Sequence, residues 1–395
     1  MGDSVAERKF ERRCDVAVAG GGVAGIAAAI QCARAGLDVV LLEKTVVPGG
    51  LATAGFVNVF LPLCDGNGVK IVGGIAEEFI RAAVGRGPGG VPEPWREGAE
   101  TADTRLRYMA EFAPAVFALE LHRMLEEAGV EVWFDTTVRA ALLENGRIAS
   151  LEVFNKSGDG TVCAETAIDA TGDADVAFLA GCPTRGGTSA LSAWTPRASM
   201  ERAASALELD APELLLEMER LGARDGGRGA TEGVPIFEGI DGKTVSEAVQ
   251  GTLRMLRERH LRENPDPEKT PRSFPLAVPA LPQLRTTRRV EGMASIGWTV
   301  EDSDAVASIP DWRERGRVWR IPLGALIPKG ASNLLAAGRC VSAADGDAWD
   351  AARAIPACAL TGQIAGIAAA LSIESGTPPA NLDPEVVTSH ISRAY

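Results

Sequence analysis

The residues whose spacing most clearly predicts chemistry are Gly20–Gly25, with the sequence GGGVAG, and the acid Glu43. Gly20 allows a tight turn, Gly22 lets the backbone approach a pyrophosphate, and Gly25 lets a helix pack closely on a strand. The N-terminus of such a helix presents free N–H groups and partial positive charge to phosphates. Glu43 stands where an acid accepts hydrogen bonds from a ribose. The pattern predicts dinucleotide binding by Gly20, Gly22, Val23, Ala24, Gly25 and Glu43.

The elements around this motif are the ones that it requires. Cys14–Ala19 is a β-branched run and predicts a buried strand, and Leu37–Leu42 predicts a second one. Between them, Val23–Ala35 has helical spacing and stops at Gly36, a natural helix end. By contrast, Gly85–Gly90 also reads GxGxxG, but no strand precedes it and prolines follow, so we predict a loop there.

The rest of the chain predicts an α/β fold: a Rossmann-type domain with a parallel sheet and a β-meander, interrupted by an inserted α+β substrate or cap domain. Helices are predicted at Phe117–Ala128, Val245–Arg262 (capped at Thr244 and Glu247) and Ile355–Leu371. Strands are predicted at Val130–Phe134, Val138–Leu143, Ile148–Phe154, Val162–Asp169 and Leu334–Ala337. The predicted dinucleotide domain comprises 12–85, 112–185 and 326–373, with a loop or cap segment at 86–111, the inserted domain at 186–325 and a tail at 374–395.

Composition narrows the class of partner. The 395 residues carry a formal net charge of −13, which argues against nucleic acid and anionic membranes. The charged start of the chain does not look like a signal peptide, and no apolar run approaches the length of a membrane helix. Seven scattered cysteines without a C-x-x-C pair suggest reduced thiols. We expect a cytoplasmic protein with a small-molecule substrate and no metal, and leave a homodimer open.

Segments along the whole chain resemble the FAD-dependent oxidoreductases of the glutathione-reductase-like superfamily, especially a bacterial group with a double glycine after the second strand. The first block is Glu43-Lys44 followed by Gly49-Gly50-Leu51-Ala52-Thr53, and Gly73–Glu78 comes next. Later blocks are Ala170-Thr171-Gly172-Asp173, Asn333–Arg339 and Arg353–Cys358. The resemblance implies that the dinucleotide is FAD.

The resemblance also assigns parts of the cofactor to residues. Gly49 and Gly50 would lie along the pyrophosphate and ribityl chain, and Val138 would offer its backbone to the adenine. Thr171, Gly172 and Asp173 would close over the adenosine half, while Gly338 and Arg339 flank the ribityl. Ile355, Pro356 and Ala357 would aim a helix N-terminus at the flavin, where negative charge grows on reduction.

One position departs from the resembling family. Many of its members carry an aspartate after the C-terminal glycine, and its carboxylate holds a ribityl hydroxyl. Here that residue is Arg339. Asp345 or Asp347 would have to substitute, or the ribityl chain is held in another way.

Candidate catalytic residues are arginines, because the three histidines His122, His260 and His390 fit solvated helices or the tail. Arg288 and Arg289 belong to the basic segment QLRTTRR at 283–289, and Arg353 abuts the flavin-facing helix. A guanidinium there would clamp a carboxylate or phosphate of the substrate. Surface ion pairs are the alternative role for each.

The missing motifs favour one reaction type. The sequence shows no second strand–GxGxxG–helix unit and no C-x-x-C, so it does not read as a pyridine-nucleotide disulfide reductase. We expect a FAD-dependent dehydrogenase or oxidase that removes a hydride from a CH–OH or CH–NH group of a small polar metabolite. The alternatives are a fumarate-reductase-like reductase of an activated C=C bond and a FAD-bound module of an RNA-modification or sulfur-transfer assembly.

Overall fold

The helices and strands are taken from a computed structural model, which describes residues 10–92, 95, 107–223, 233–297 and 304–393. Helices α1 to α9 are Val23–Arg34, Gly74–Gly85, Pro114–Ala128, Asp175–Leu179, Met200–Glu208, Gly242–Glu263, Asp347–Ala352, Ile355–Ser375 and Pro384–Arg393. Strands β1 to β9 are Phe10–Ala19, Val39–Leu42, Val59–Phe60, Ala110–Glu111, Glu131–Trp133, Thr137–Glu144, Arg147–Asn155, Gly158–Asp169 and Thr184–Arg185. Strands β10 to β18 are Ser189–Ala190, Ser192–Ser199, Glu217–Gly222, Ile236–Phe237, Ser273–Pro275, Arg289–Val290, Ala305–Pro310, Val318–Pro322 and Leu334–Ala336.

A seven-stranded sheet organises the molecule, in the order β5-β2-β1-β8-β7-β6 with β18 also on β8. Strands β5, β2, β1, β8 and β18 run parallel. The carboxyl ends of β1, β2, β8 and β18 therefore meet at one edge, where Gly20, Glu43, Ala170 and Ala337 follow them. In open α/β sheets, ligands bind at this edge. The predicted α/β class with a parallel-dominated, Rossmann-type sheet is confirmed.

The β1–α1–β2 unit forms as the sequence predicts. Alternate side chains of β1 enter different cores, with Val16 and Val18 facing α1 and α8, and Ala17 and Ala19 on the opposite face. Helix α1 starts at Val23 and its chain turns at Gly36, which has φ +84°. The predicted meander is also present as β6, β7 and β8. Its Asn145-Gly146 turn has φ +50° and +74°, as a two-residue hairpin requires.

The middle of the chain contributes separate small sheets, among them β12-β11-β14, β10-β13 and β15-β9. Its long helix α6 differs from the prediction at its start. The N-cap is Asp241, whose carboxylate accepts the N–H groups of Lys243 and Thr244, so Thr244 lies inside the helix. None of the strands of these small sheets joins the seven-stranded sheet. The exact domain boundaries stay a prediction.

Two C-terminal helices differ from expectation. Helix α8 runs to Ser375, so it is long and apolar enough by composition to cross a membrane, contrary to our expectation for the chain. In the fold, 83% of its most apolar window is buried, and it packs along α1 as a core helix. The predicted tail contains α9, whose Val387 and Ile391 are buried in the main core because they face one side of an amphipathic helix.

The packing of α8 on α1 generates the first prediction. A Cβ added at Gly362 of α8 would lie 2.1 Å from the carbonyl oxygen of Ala24 in α1. We expect Gly362→Ala to lower the free energy of unfolding by about 1–3 kcal/mol, because neither helix backbone can move aside without loss of packing. Thermal unfolding of the purified protein measures the effect. Gly242→Ala is the control, because a Cβ there meets nothing within 4 Å; equal melting temperatures for both variants would contradict this packing.

Candidate functional site

The glycine-rich turn is built by close contacts that no larger residue permits. Gly20 has φ +102°, and a Cβ there would approach the carbonyl oxygen of Ala170 to 2.4 Å. At Gly25 a Cβ would lie 1.8 Å from the carbonyl oxygen of Gly20. Helix α1 is therefore pressed against the end of β1. Its first N–H groups face the sheet edge, and no side chain caps them.

Gly22 has a different role, because a Cβ there would meet nothing within 4 Å. Its φ is −73°, which any residue adopts, so neither strain nor packing requires a glycine. The space in front of it is bounded by the second glycine pair. Gly49 pairs with Gly22 as a β-bridge and donates its N–H to the carbonyl oxygen of Gly21 at 2.7 Å, while Gly50 has φ +56°. Leu51 and Ala52 continue this loop along the cleft.

Glu43 is held rigidly at the end of β2. It is 5% exposed, and its Oε2 accepts the N–H of Gly21 at 2.6 Å. Its Oε1 accepts the N–H of Thr45 at 2.7 Å. Each carboxylate oxygen keeps a lone pair that can accept a hydroxyl. Lys44 and Val138 line the same end of the cleft, which is therefore the predicted adenosine end.

The loop Ala170–Asp173 is shaped by two buried residues that the sequence did not single out. Asp169 accepts the hydroxyl of Thr171 at 2.7 Å and the N–H of Ala177 at 3.0 Å. Cys340 donates its thiol to the Asp169 carboxylate and accepts the N–H of Gly172 at 3.2 Å. Burial raises the pKa of Asp169 and of Cys340. A sequence signal existed only for Asp169, as the last residue of a strand before the loop.

Arg339 stands where many members of the family carry the aspartate that binds the ribityl chain. Neither Asp345 nor Asp347 takes the place of that aspartate in the cleft. Its guanidinium donates to the carboxylate of Asp173 at 3.2 Å and to the carbonyl of Leu284. Asp345 is 60% exposed and forms ion pairs with Arg185 and Arg289 instead of lining the cleft. The prediction that Asp345 replaces the missing acid is therefore wrong, because two arginines outside the cleft hold its carboxylate. Asp347 likewise pairs with Arg317 outside the cleft.

The start of α8 faces the other end of the cleft. Ile355, together with Ala354 and Cys358, lines the wall, and no side chain caps this helix. Pro356 and Ala357 are buried behind that wall and are not among the lining residues. Their predicted contribution is thus confined to the backbone that forms the helix N-terminus. Gly338 lines the cleft with φ +65°.

The three arginines predicted as catalytic occupy different places. Arg289 is 1% exposed, stacks on Trp349, and donates to the carbonyl of Ala343 and to Asp345, so it does not line the cleft. Its predicted substrate contact is wrong, because β15 carries it into the protein interior.

Arg288 does line the cleft, but toward the adenosine end. It donates to Asp175 at 3.2 Å and to the carbonyl of Ile240 at 2.8 Å, and it lies over the ring of Phe178. Asp175 is in turn in electrostatic reach of Lys44, and burial, with its acidic neighbours, raises the pKa of Asp175 to about 6. Arg288 is therefore occupied by the protein at the nucleotide side.

Arg353 lies beside the start of α8 and lines the cleft. Its Nη2 donates to Asp350 at 2.7 Å, and the other oxygen of Asp350 accepts from Arg313 at 2.5 Å. Burial opposes ionisation of Asp350, but the two arginines hold the pKa of this carboxyl below its ordinary value. Asp350 is therefore a carboxylate at neutral pH.

Arg285 is the residue that sequence reasoning missed. It lies in the basic segment 283–289 and lines the cleft near Arg353 and Asp350. Its Nη1 is buried and has no hydrogen-bond partner within the described chain. The spacing of the segment gave no reason to prefer Arg285 over Arg288 or Arg289, because the loop has no regular period.

The lining residues form one continuous cleft of about 620 Å³. One wall is the sheet edge with its glycine loops. The opposite wall comes from the middle of the chain and includes Trp194, Gly239–Gly242, Val245, Leu281–Arg285, Thr287 and Arg288. None of the three histidines lines it. The fold and the cleft define an α/β dinucleotide-binding protein.

Comparison with protein families identifies the class more closely. The chain matches the model of the FAD-dependent oxidoreductase family over residues 15–210 and 284–391, which is most of its length. This chain belongs to that family, and its cofactor is FAD. The unmatched interval, 211–283, falls in the middle of the chain and contains β12, β13, α6 and β14.

Individual relatives are more distant. A stretch of 46 residues is 49% identical to the probable electron transfer flavoprotein-quinone oxidoreductase YgcN of Escherichia coli K12, covering 12% of this chain and 11% of that protein. The structure of p-nitrophenol 4-monooxygenase PnpA from Pseudomonas putida DLL-E4 aligns with a TM-score of 0.50 and 15% identity, over 98% of this chain and 87% of that one. The structure of a geranylgeranyl bacteriochlorophyll reductase-like protein from Thermoplasma acidophilum aligns with a TM-score of 0.47 and 15% identity, over 98% of this chain and 84% of that one. The likeness to PnpA concerns the fold alone.

The residues present fit FAD. Gly22 leaves room where a pyrophosphate would contact the backbone, and the uncapped first turn of α1 offers N–H donors beside it. Glu43 stands at the adenosine end with free lone pairs. The second uncapped helix start, at Ile355, lies at the opposite end, where a flavin ring would gain negative charge on reduction.

Substitution of the two glycines separates cofactor binding from folding. We expect Gly22→Ala to leave the melting temperature of the apoprotein unchanged and to weaken FAD binding about tenfold or more, equivalent to about 1.4 kcal/mol, because the methyl group occupies the pyrophosphate space. Gly25→Ala should destabilise the apoprotein itself. Apoprotein melting and FAD titration by fluorescence quenching measure both effects; normal FAD affinity in a folded Gly22→Ala protein would contradict the assigned position of the pyrophosphate.

Proposed function

We propose that this enzyme is a FAD-dependent dehydrogenase or oxidase that removes a hydride from a CH–OH or CH–NH group of a small polar metabolite. The observation that carries the proposal is the continuous cleft, in which the glycine loops face residues from the middle of the chain. A small molecule beside the flavin would be enclosed between these two walls, and enclosure favours orientation and exclusion of water.

Charged and apolar groups at the flavin end suit such a substrate. Arg285, Asp350 and Arg353 line the cleft there, beside the aromatic side chain of Trp312. Pockets for small molecules commonly combine apolar walls with a few fixed polar groups that set orientation. Asp350 is tied to two arginines and keeps a lowered pKa, so it is a weak base and contributes charge instead.

The proposed reaction takes a hydride and a proton from the substrate. The substrate carbon gives up a hydride, the adjacent oxygen or nitrogen gives up a proton to solvent, and a C=O or C=N bond forms. FAD, when bound, supplies the two-electron redox chemistry. An external acceptor, either oxygen or an electron carrier, then receives the two electrons.

A reductase of an activated C=C bond is the second candidate, because Arg285 and Arg353 together would polarise a carboxylated alkene. This candidate keeps the same cleft and reverses the direction of electron flow. A reduced-flavin assay separates the two: alkene substrates reoxidise dithionite-reduced enzyme only if this second activity is present.

Two finer assignments also belong to the proposal. Membership of the glutathione-reductase-like branch is supported by Gly49-Gly50, which packs against the first glycine loop. A cytoplasmic location is supported by the seven cysteines, all of which are free thiols.

Anaerobic titration of the FAD-loaded enzyme tests the direction of electron entry. We expect NADH and NADPH to leave the flavin absorbance unchanged over minutes, while dithionite bleaches it, because the described strands form one dinucleotide unit only. A panel of alcohols and amines should then contain a compound that bleaches the flavin. Prompt bleaching by either pyridine nucleotide would overturn the proposal in favour of a monooxygenase or reductase.

A further inference from the structure

In the segment 283–289, nearly every polar side chain forms a hydrogen bond or an ion pair with another part of the protein. Gln283 donates to the carbonyls of Gly55 and Trp194 at 2.6 and 2.9 Å, and accepts the N–H of Trp194 at 2.7 Å. These bonds tie the segment both to the loop after Gly49-Gly50 and to β11. The segment therefore has a fixed position relative to the cofactor loop.

The following residues are anchored as well. Thr286 accepts the indole N–H of Trp349 at 2.9 Å, and Thr287 donates to Asp173 at 2.6 Å. Arg288 and Arg289 are paired with Asp175 and Asp345, as described above. The carbonyl of Leu284 accepts from Arg339.

Arg285 is the exception in this segment. Its guanidinium makes no hydrogen bond to any residue that the structure describes, and its Nη1 is buried. Burial, together with the nearby charge of Arg353, lowers the pKa of Arg285 to about 10. The side chain is still cationic at neutral pH. The rigid segment thus presents one unpaired cation to the cleft.

The surrounding charges do not neutralise it. Asp350 is the acid in electrostatic reach of Arg285, but its oxygens are already bonded to Arg353 and Arg313. Among the described residues, no carboxylate is therefore hydrogen-bonded to Arg285. An unpaired charge in a half-buried position is costly, and an anion that completes the site offsets this cost.

The position of Arg285 indicates which anion this is. Its charged neighbours Asp350 and Arg353 precede the start of α8. Arg288, by contrast, pairs with Asp175 at the adenosine end, and Asp175 is in electrostatic reach of Lys44. The pyrophosphate space lies at Gly22 and Gly49, where backbone N–H groups are available to bind phosphate oxygens. The unpaired guanidinium therefore faces the region beside the flavin, and its planar fork matches a carboxylate.

We propose that Arg285, with Arg353 beside it, forms a subsite for a carboxylate group of the substrate. This inference rests on the proposed function and narrows its substrate class to carboxylic acids such as hydroxy acids or amino acids. The carboxylate would lie between the two guanidinium groups, and the CH–OH or CH–NH carbon would extend from it along the cleft.

Binding of simple probes to the oxidised, FAD-loaded enzyme tests the subsite without turnover. Propionate should perturb the flavin absorbance and show saturation-transfer NMR signals, and neutral propionamide should bind at least about tenfold more weakly, equivalent to about 1.4 kcal/mol. In Arg285→Met, propionate affinity should fall at least about tenfold, with Arg285→Lys intermediate because ammonium lacks the fork. Arg254→Met, an exposed position on α6 outside the cleft, should behave as wild type.

Folding and cofactor binding are measured on the same variants. Arg285→Met should keep its FAD content and melt at the same or a higher temperature, because it removes an unpaired buried charge. Equal propionate affinity in wild type and Arg285→Met would overturn the proposal. Loss of FAD with the arginine would also overturn it, since the cation would then serve the cofactor, and so would inorganic phosphate binding more tightly than propionate.

The outcome is independent of the reaction type. Carboxylate binding that depends on Arg285, without any alcohol or amine that bleaches the flavin, would support the subsite and contradict the dehydrogenase proposal. A neutral alcohol that bleaches the flavin, while propionate fails to bind, would support the dehydrogenase proposal and contradict the carboxylate subsite.

Discussion

The contact between Gly25 and the carbonyl oxygen of Gly20 is the constraint on which the site depends. With room for only a hydrogen atom there, α1 begins directly against the end of β1 and directs its free N–H groups into the sheet edge. Helix α8 then packs on α1 through Gly362, which brings the second uncapped helix start to the same cleft. The close packing of two glycine positions thus fixes both helix ends that FAD requires.

Most arginines of the site stabilise the structure because they pair with groups of the protein, and one of them is available for binding. Arg339 and Arg288 hold acids and carbonyls at the nucleotide side, and Arg289 with Asp345 fixes the base of the segment 283–289. These pairs are satisfied within the protein and stabilise one arrangement of the loop. Arg285 is carried on that arrangement without a hydrogen-bond partner in the described part of the chain, and an anionic ligand would offset the cost of burying its charge.

The sequence predicted the parts governed by local geometry. The β1–α1–β2 unit, the Asn145-Gly146 hairpin and the start of α8 at Ile355 follow from glycine positions, strand alternation and Pro356, each of which acts within a few residues. The arginines were assigned less well, because the direction of a side chain in an irregular segment depends on distant partners. Trp349 stacks on Arg289 in the interior and Asp175 holds Arg288, and neither contact has a sequence signature. Helix α9 was not predicted either, because its two buried residues, Val387 and Ile391, are too few to form a clear helical pattern of apolar residues.

The most direct test of this account is a crystal structure of the enzyme purified with its flavin. We predict pyrophosphate density against Gly22 and the first turn of α1, the ribose beside Glu43, and the isoalloxazine ring at the Ile355 end within reach of Arg285 and Arg353. A cofactor bound in the reverse direction, with its ring beside Lys44, or a pyrophosphate away from Gly22, would contradict the central claim that these two helix ends hold FAD.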